Sequence, residues 1–147
     1  MAYSVEHSNN FHMARRIVKI IAPDFRVFAT EDLQEGHAVL DLTKKTIEVP
    51  DSRDEIKTVA LILFQLGHLR LKGVEEFNEH LGNINDIGEK RLISKLSKQA
   101  AKADKISAAW AVQVLKGVFD VAPNKAKILI EEQIWDEEEW RAYFSRP

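Results

Sequence analysis

Within residues 61–69, Leu-Ile-Leu-Phe-Gln-Leu-Gly-His-Leu, one ligand-type side chain and one polar neighbour interrupt an apolar run. On a helix, residues three and four apart share a face, so Phe64, Gln65 and His68 would project together. Two donors at positions 64 and 68 could share a metal ion, and a carboxylate at 65 could reach a water bound to it. The residues present cannot do this. Phe64 has no lone pair to give, and Gln65 keeps the outline of a glutamate but cannot take up and return a proton near neutral pH. His68 reads as a core histidine satisfied by a hydrogen bond or, alternatively, as a ligand whose partners come from elsewhere. No spacing pattern ties it to His7, His12, His37 or His80.

The string Phe64-Gln65-Leu66-Gly67-His68 resembles the H-E-x-G-H core of the zincin helix, with only its Gly-His half retained. The resemblance extends to the order of elements in minimal gluzincins and ImmA/IrrE-type metallopeptidase domains: an N-terminal helix, a small sheet, the motif helix, then a helical remainder. It covers about residues 11–109, leaving 110–147 as a helical C-terminal extension of a single domain, 1–147. In those families a later helix supplies a third ligand from an E-x-x-A-D-like setting. Ala103-Asp104 could match its end, which puts Ala100 where the glutamate would stand. The resemblance therefore implies a degenerate zincin: no catalytic residue, Gln65 at the general-base position, no metal site, and His68 as the surviving ligand-type residue. No cofactor is expected, zinc being the one alternative.

Two charged features could also bind something. Arg91, Lys95, Lys98, Lys102 and Lys105 recur at intervals of four, three, four and three, so they align on one helix face. Such a stripe is usually a solvated surface, but it could attract an acidic partner over a Debye length of about 8 Å. The C-terminus supplies acids of its own: Glu131, Glu132, Asp136, Glu137, Glu138 and Glu139, interleaved with Trp135, Trp140, Tyr143 and Phe144. This segment is expected to dock on the domain or on a second copy, with aromatic burial giving most of the energy and charge setting the register. Residues 114–130 have helix-turn-helix spacing, yet Glu131 and Glu132 beside Lys125 and Lys127 would repel phosphates. They read as a packing hairpin.

Periodicity places these residues on elements. Met13, Ile17, Ile20 and Ile21 give a helix over 11–21, closed by Pro23. Alternation over 25–29 and β-rich runs at 37–41 and 46–49, the last two joined by a turn at 42–45, predict a three-stranded sheet. Pro50-Asp51-Ser52 resets the chain, with Asp51 or Ser52 as the cap of a long buried helix over 56–71 ended by Gly73. Residues 78–88 read as a loop. Helices follow over 89–103, 106–119, 123–134 and 136–144, the last capped by Asp136. The fold class is α+β.

Composition bounds the function. The chain has 147 residues, 45% hydrophobic and 30% charged, with a formal charge of −2, so global attraction to nucleic acid is absent. It has no cysteine, which removes disulfides, thiolate metal sites and a thiol nucleophile. Residues 1–10 lack the pattern of an export signal, and the longest apolar run, 59–64, falls short of the ~20 residues of a membrane span. A cytoplasmic protein is expected. Together these features predict a pseudo-metallopeptidase acting as a protein-binding or regulatory module, through an unidentified protein partner or self-association by the acidic aromatic segment. The alternatives are a metal-dependent hydrolase with non-standard ligands, and a nucleic-acid-binding protein using the basic helix 90–105.

Overall fold

The computed structural model describes residues 4–70 and 89–145. The helix end expected at Gly73, the loop expected over 78–88 and His80 lie outside the described residues.

The fold is α+β. After a single 3-10 turn at Val5–His7, helix α1 runs Asn9–Ile21, started by Ser8, whose Oγ accepts the Phe11 N–H at 3.2 Å. Strands β1 (Arg26–Thr30), β2 (Val39–Asp41) and β3 (Thr46–Pro50) form one sheet in the order β1-β3-β2, with β1 parallel and β2 antiparallel to β3. The β2–β3 turn is held by Asp41 Oδ1, which accepts the Thr43 and Lys44 N–H groups at 3.0 and 2.9 Å. Lys45 closes it in the left-handed region at φ 56°. Strand 37–41 is shorter than expected, since pairing with β3 begins only at Val39.

The other edge of the sheet is covered by side chains. Arg15 of α1 donates to the Val27 carbonyl through Nε at 3.2 Å and through a terminal nitrogen at 3.1 Å, and it pairs with Glu6. Glu6 in turn accepts the Ala29 N–H at 3.0 Å. An edge strand's spare backbone groups are thus satisfied without another strand.

Helix α2 (Glu55–Arg70) is the centre of the core: Val59, Ala60, Leu61, Ile62, Leu63, Phe64 and Leu66 are all buried. Its capping oxygen belongs to Asp54, which accepts the Lys57 N–H at 3.0 Å. Asp51 and Ser52, expected there, are used otherwise. Asp51 accepts the Val5 N–H at 2.7 Å, and Ser52 supports Asp54 by accepting its N–H at 3.1 Å.

The two helices expected over 89–103 and 106–119 are one, α3 (Glu89–Gly117). No Gly or Pro interrupts the backbone between 103 and 106, and Asp104 has a buried polar partner on α2. Helix α4 (Pro123–Glu131) stops three residues before the expected 134, where Gln133 and Ile134 turn back on the last carbonyls. Helix α5 (Glu137–Phe144) starts at Asp136 as predicted, with a complete capping box to Glu139. No helix among the described residues is long and apolar enough to cross a membrane.

Candidate functional site

The site is built at the crossing of α2 and α3. A Cβ placed on Gly67 would lie 3.1 Å from both Cβ and the carbonyl oxygen of Ser107 and 3.2 Å from its Cα, so only glycine lets the helices approach this closely. That contact fixes the neighbouring side chains. One residue along α2 is His68, and one turn back along α3 is Asp104.

His68 Nε2 lies 2.7 Å from Asp104 Oδ1, and Nδ1 lies 2.9 Å from the Phe64 carbonyl oxygen. A carbonyl can only accept, so Nδ1 carries a proton and donates it. A 2.7 Å contact between Nε2 and a carboxyl oxygen needs a proton too, shared by the pair. Both ring nitrogens are therefore committed. The side chains are 13% and 3% exposed, so the pair is shielded from water. The Phe64 ring meets the imidazole edge-on at 4.8 Å.

The other oxygen of Asp104 ties down the C-terminal extension. Oδ2 accepts the backbone N–H of Trp135 and the indole N–H of Trp140, each at 3.1 Å. Trp135, Trp140 and Tyr143 then pack on one another, with ring centroids 4.8, 5.9 and 5.7 Å apart. The acidic aromatic segment thus docks within the chain, and the expectation that lysines set its register is corrected. Arg91, Lys95, Lys98, Lys102 and Lys105 are all exposed, and among the described residues none forms an ion pair with the tail. A buried carboxylate can hold two N–H donors in fixed directions, whereas exposed lysines gain little by ordering their long stems. In the tail, Glu137 pairs locally with Arg141.

Beside this network lies a cavity of about 570 Å³. Phe64, Gln65 and His68 of α2 line it together with Ala100, Ala103 and Asp104 of α3. His37, Leu40, Glu132, Gln133 and the three aromatic rings also contribute. The packing of α2 against α3 brings Phe64, Gln65, His68 and Ala100 to one cavity; the five basic residues are not part of it. The donor set does not fit a zinc ion. Phe64 and Ala100 have no donor atom, and His68 would have to surrender Asp104 to offer Nε2. Asp104 organises this site, a role not expected of it from the sequence. The available signals were the Ala103-Asp104 pair and its helical register with Ala100.

Helix α4 packs as a hairpin partner rather than standing free, with Ala126 and Ile130 buried. Compared with protein-family models, with curated proteins and with solved structures, the chain matches none.

Proposed function

We propose that this chain is a catalytically inactive zincin-like domain that serves as a protein-binding or regulatory module. The observation that carries the reading is the state of His68. The one ligand-type residue in the motif has both nitrogens engaged, by Phe64 and by Asp104, and it faces a cavity whose other motif positions are Phe64, Gln65 and Ala100. A peptidase needs an ion, a water polarised by it and a base for that water. Phenylalanine, glutamine and alanine supply none of these. What remains is a shaped, partly apolar cavity with fixed walls, which suits recognition.

The test is metal content and hydrolysis. Purified without chelators, the protein should carry far less than one zinc per chain and leave general peptide substrates intact. About one zinc per chain, lost together with a hydrolytic activity on chelation, would refute the reading and favour a hydrolase with non-standard ligands. Phe64→His combined with Gln65→Glu should raise zinc affinity only modestly, because Ala100 gives no third ligand and Asp104 competes for His68. Tight, stoichiometric binding by that double variant would reveal a ligand from outside this set.

A further inference from the structure

The cavity beside His68 has a chemical bias that the loss of catalysis does not account for. Its carboxyl groups, those of Asp104 and Glu132, are acids, and among the described residues no lysine or arginine lines it. Asp104 is already engaged, with His68 on one oxygen and two N–H groups on the other. Glu132 lines the cavity and is exposed, and no hydrogen bond or ion pair of its carboxylate is seen among the described residues. Gln133 donates one amide N–H to the Leu129 carbonyl at 3.1 Å, and its amide oxygen is available to accept. The flat apolar surface comes from Trp135, Trp140 and Tyr143. These rings touch at 4.8–5.9 Å between centroids, so no guest fits among them, and one must lie against the outside of the cluster.

A planar cation with several donors and no acceptor matches this lining. A guanidinium stacks on aromatic faces, is more weakly hydrated than an ammonium, and directs its N–H groups to carboxylate and amide oxygens. We propose that the cavity receives an arginine side chain presented by a partner protein. Glu132 is its counter-ion and the Trp135–Trp140–Tyr143 cluster is its stacking wall. The proposal rests on reading the chain as a binding module and adds the chemistry of the partner. The lysines nearest in sequence, Lys102 and Lys105, belong to the solvent-facing stripe and do not line the cavity.

The test titrates ¹⁵N-labelled protein with N-acetyl-arginine methylamide, the matching citrulline and norleucine amides, and free arginine. The indole N–H resonances of Trp135 and Trp140 are followed, with Trp110, outside the cavity lining, as the reference. The arginine amide should move the two cavity indoles and leave Trp110 in place. It should bind about tenfold tighter than the citrulline amide, the scale of a partly desolvated cation contact. Glu132→Gln, at an exposed position, should erase that ratio without changing the melting temperature. Equal or tighter binding of citrulline or norleucine overturns the proposal and makes the cavity a neutral apolar site, while the binding-module reading stands. Free arginine binding more tightly than the blocked residue also overturns it, in favour of a small-molecule site. No indole shift at probe concentrations on the order of 10 mM overturns it outright. The binding-module reading itself falls only on chelator-sensitive zinc and hydrolysis, so the two failures are distinct.

Discussion

Asp104 is the residue on which the site depends, because one buried carboxyl group satisfies three donors, from two helices and the link between α4 and α5: His68, the Trp140 indole and the Trp135 backbone. Removing a buried partner leaves the others desolvated and unpaired, which costs more than the bonds themselves contribute. Asp104→Ala should therefore lower unfolding free energy by about 3–5 kcal/mol. Asp104→Asn, which keeps one acceptor oxygen, should cost roughly half of that. Urea denaturation would measure both, and the alanine variant should also alter tryptophan emission, since the Trp140 indole and the Trp135 backbone lose their acceptor. A loss below about 0.5 kcal/mol for Asp104→Ala, within the range of ordinary surface changes, would show that the network does not hold the fold together.

The α2–α3 crossing turns on Gly67. Replacing a helical glycine by alanine usually stabilises by about 1 kcal/mol through backbone entropy. Here the new methyl would meet Ser107 at 3.1–3.2 Å, and two of the three atoms are backbone, which cannot swing aside. Overpacking of this kind costs about 1–3 kcal/mol, so the balance turns unfavourable. Gly67→Ala should lower the denaturation midpoint, and it should loosen the His68–Asp104 contact by pushing the helices apart. Gly117, at the end of α3, has open space around its Cα, so Gly117→Ala should be neutral or stabilising by up to about 1 kcal/mol. If both glycine variants behave alike, close approach is not what Gly67 provides.

For the whole molecule, the tail closes the structure over α3 and forms one wall of the cavity. Truncation before Asp136 removes the Trp140 and Tyr143 rings and one of the two N–H donors held by Asp104 Oδ2. Trp135 and Tyr143 remain 36% and 47% exposed, so the aromatic contribution is only part of what full burial would give. A loss of about 2–4 kcal/mol is expected from the rings and the hydrogen bond together. For a chain of this size that lowers the melting temperature by roughly 5–15 °C. Reversing Lys95, Lys98 and Lys102 to glutamate should change it by no more than a few degrees at any ionic strength, since those side chains face solvent. A large, salt-sensitive loss in the charge-reversed variant would restore the lysines as the tail's docking surface.

Much of the architecture follows from local pattern. The change of period from near four to two marks the passage from α1 to the sheet, and Asp136 with Glu139 declares the start of α5, because these signals act within a few residues of the chain. The chemistry missing from Phe64 and Gln65 is equally a property of the side chains and needs no coordinates. Three things required the tertiary structure. β3 lies at the centre of the sheet, with parallel and antiparallel neighbours, an order set by pairing between distant segments that local strand pattern does not encode. α3 runs unbroken through Asp104 because the carboxylate finds buried donors 31 to 36 residues away, on both sides of it in the chain. The tail takes its register from that same carboxylate and not from the conspicuous lysine stripe. Charge periodicity is visible in a sequence, but its energy is small in water; a single buried acid is inconspicuous, and only folding, by removing water from around it, makes it decide the arrangement.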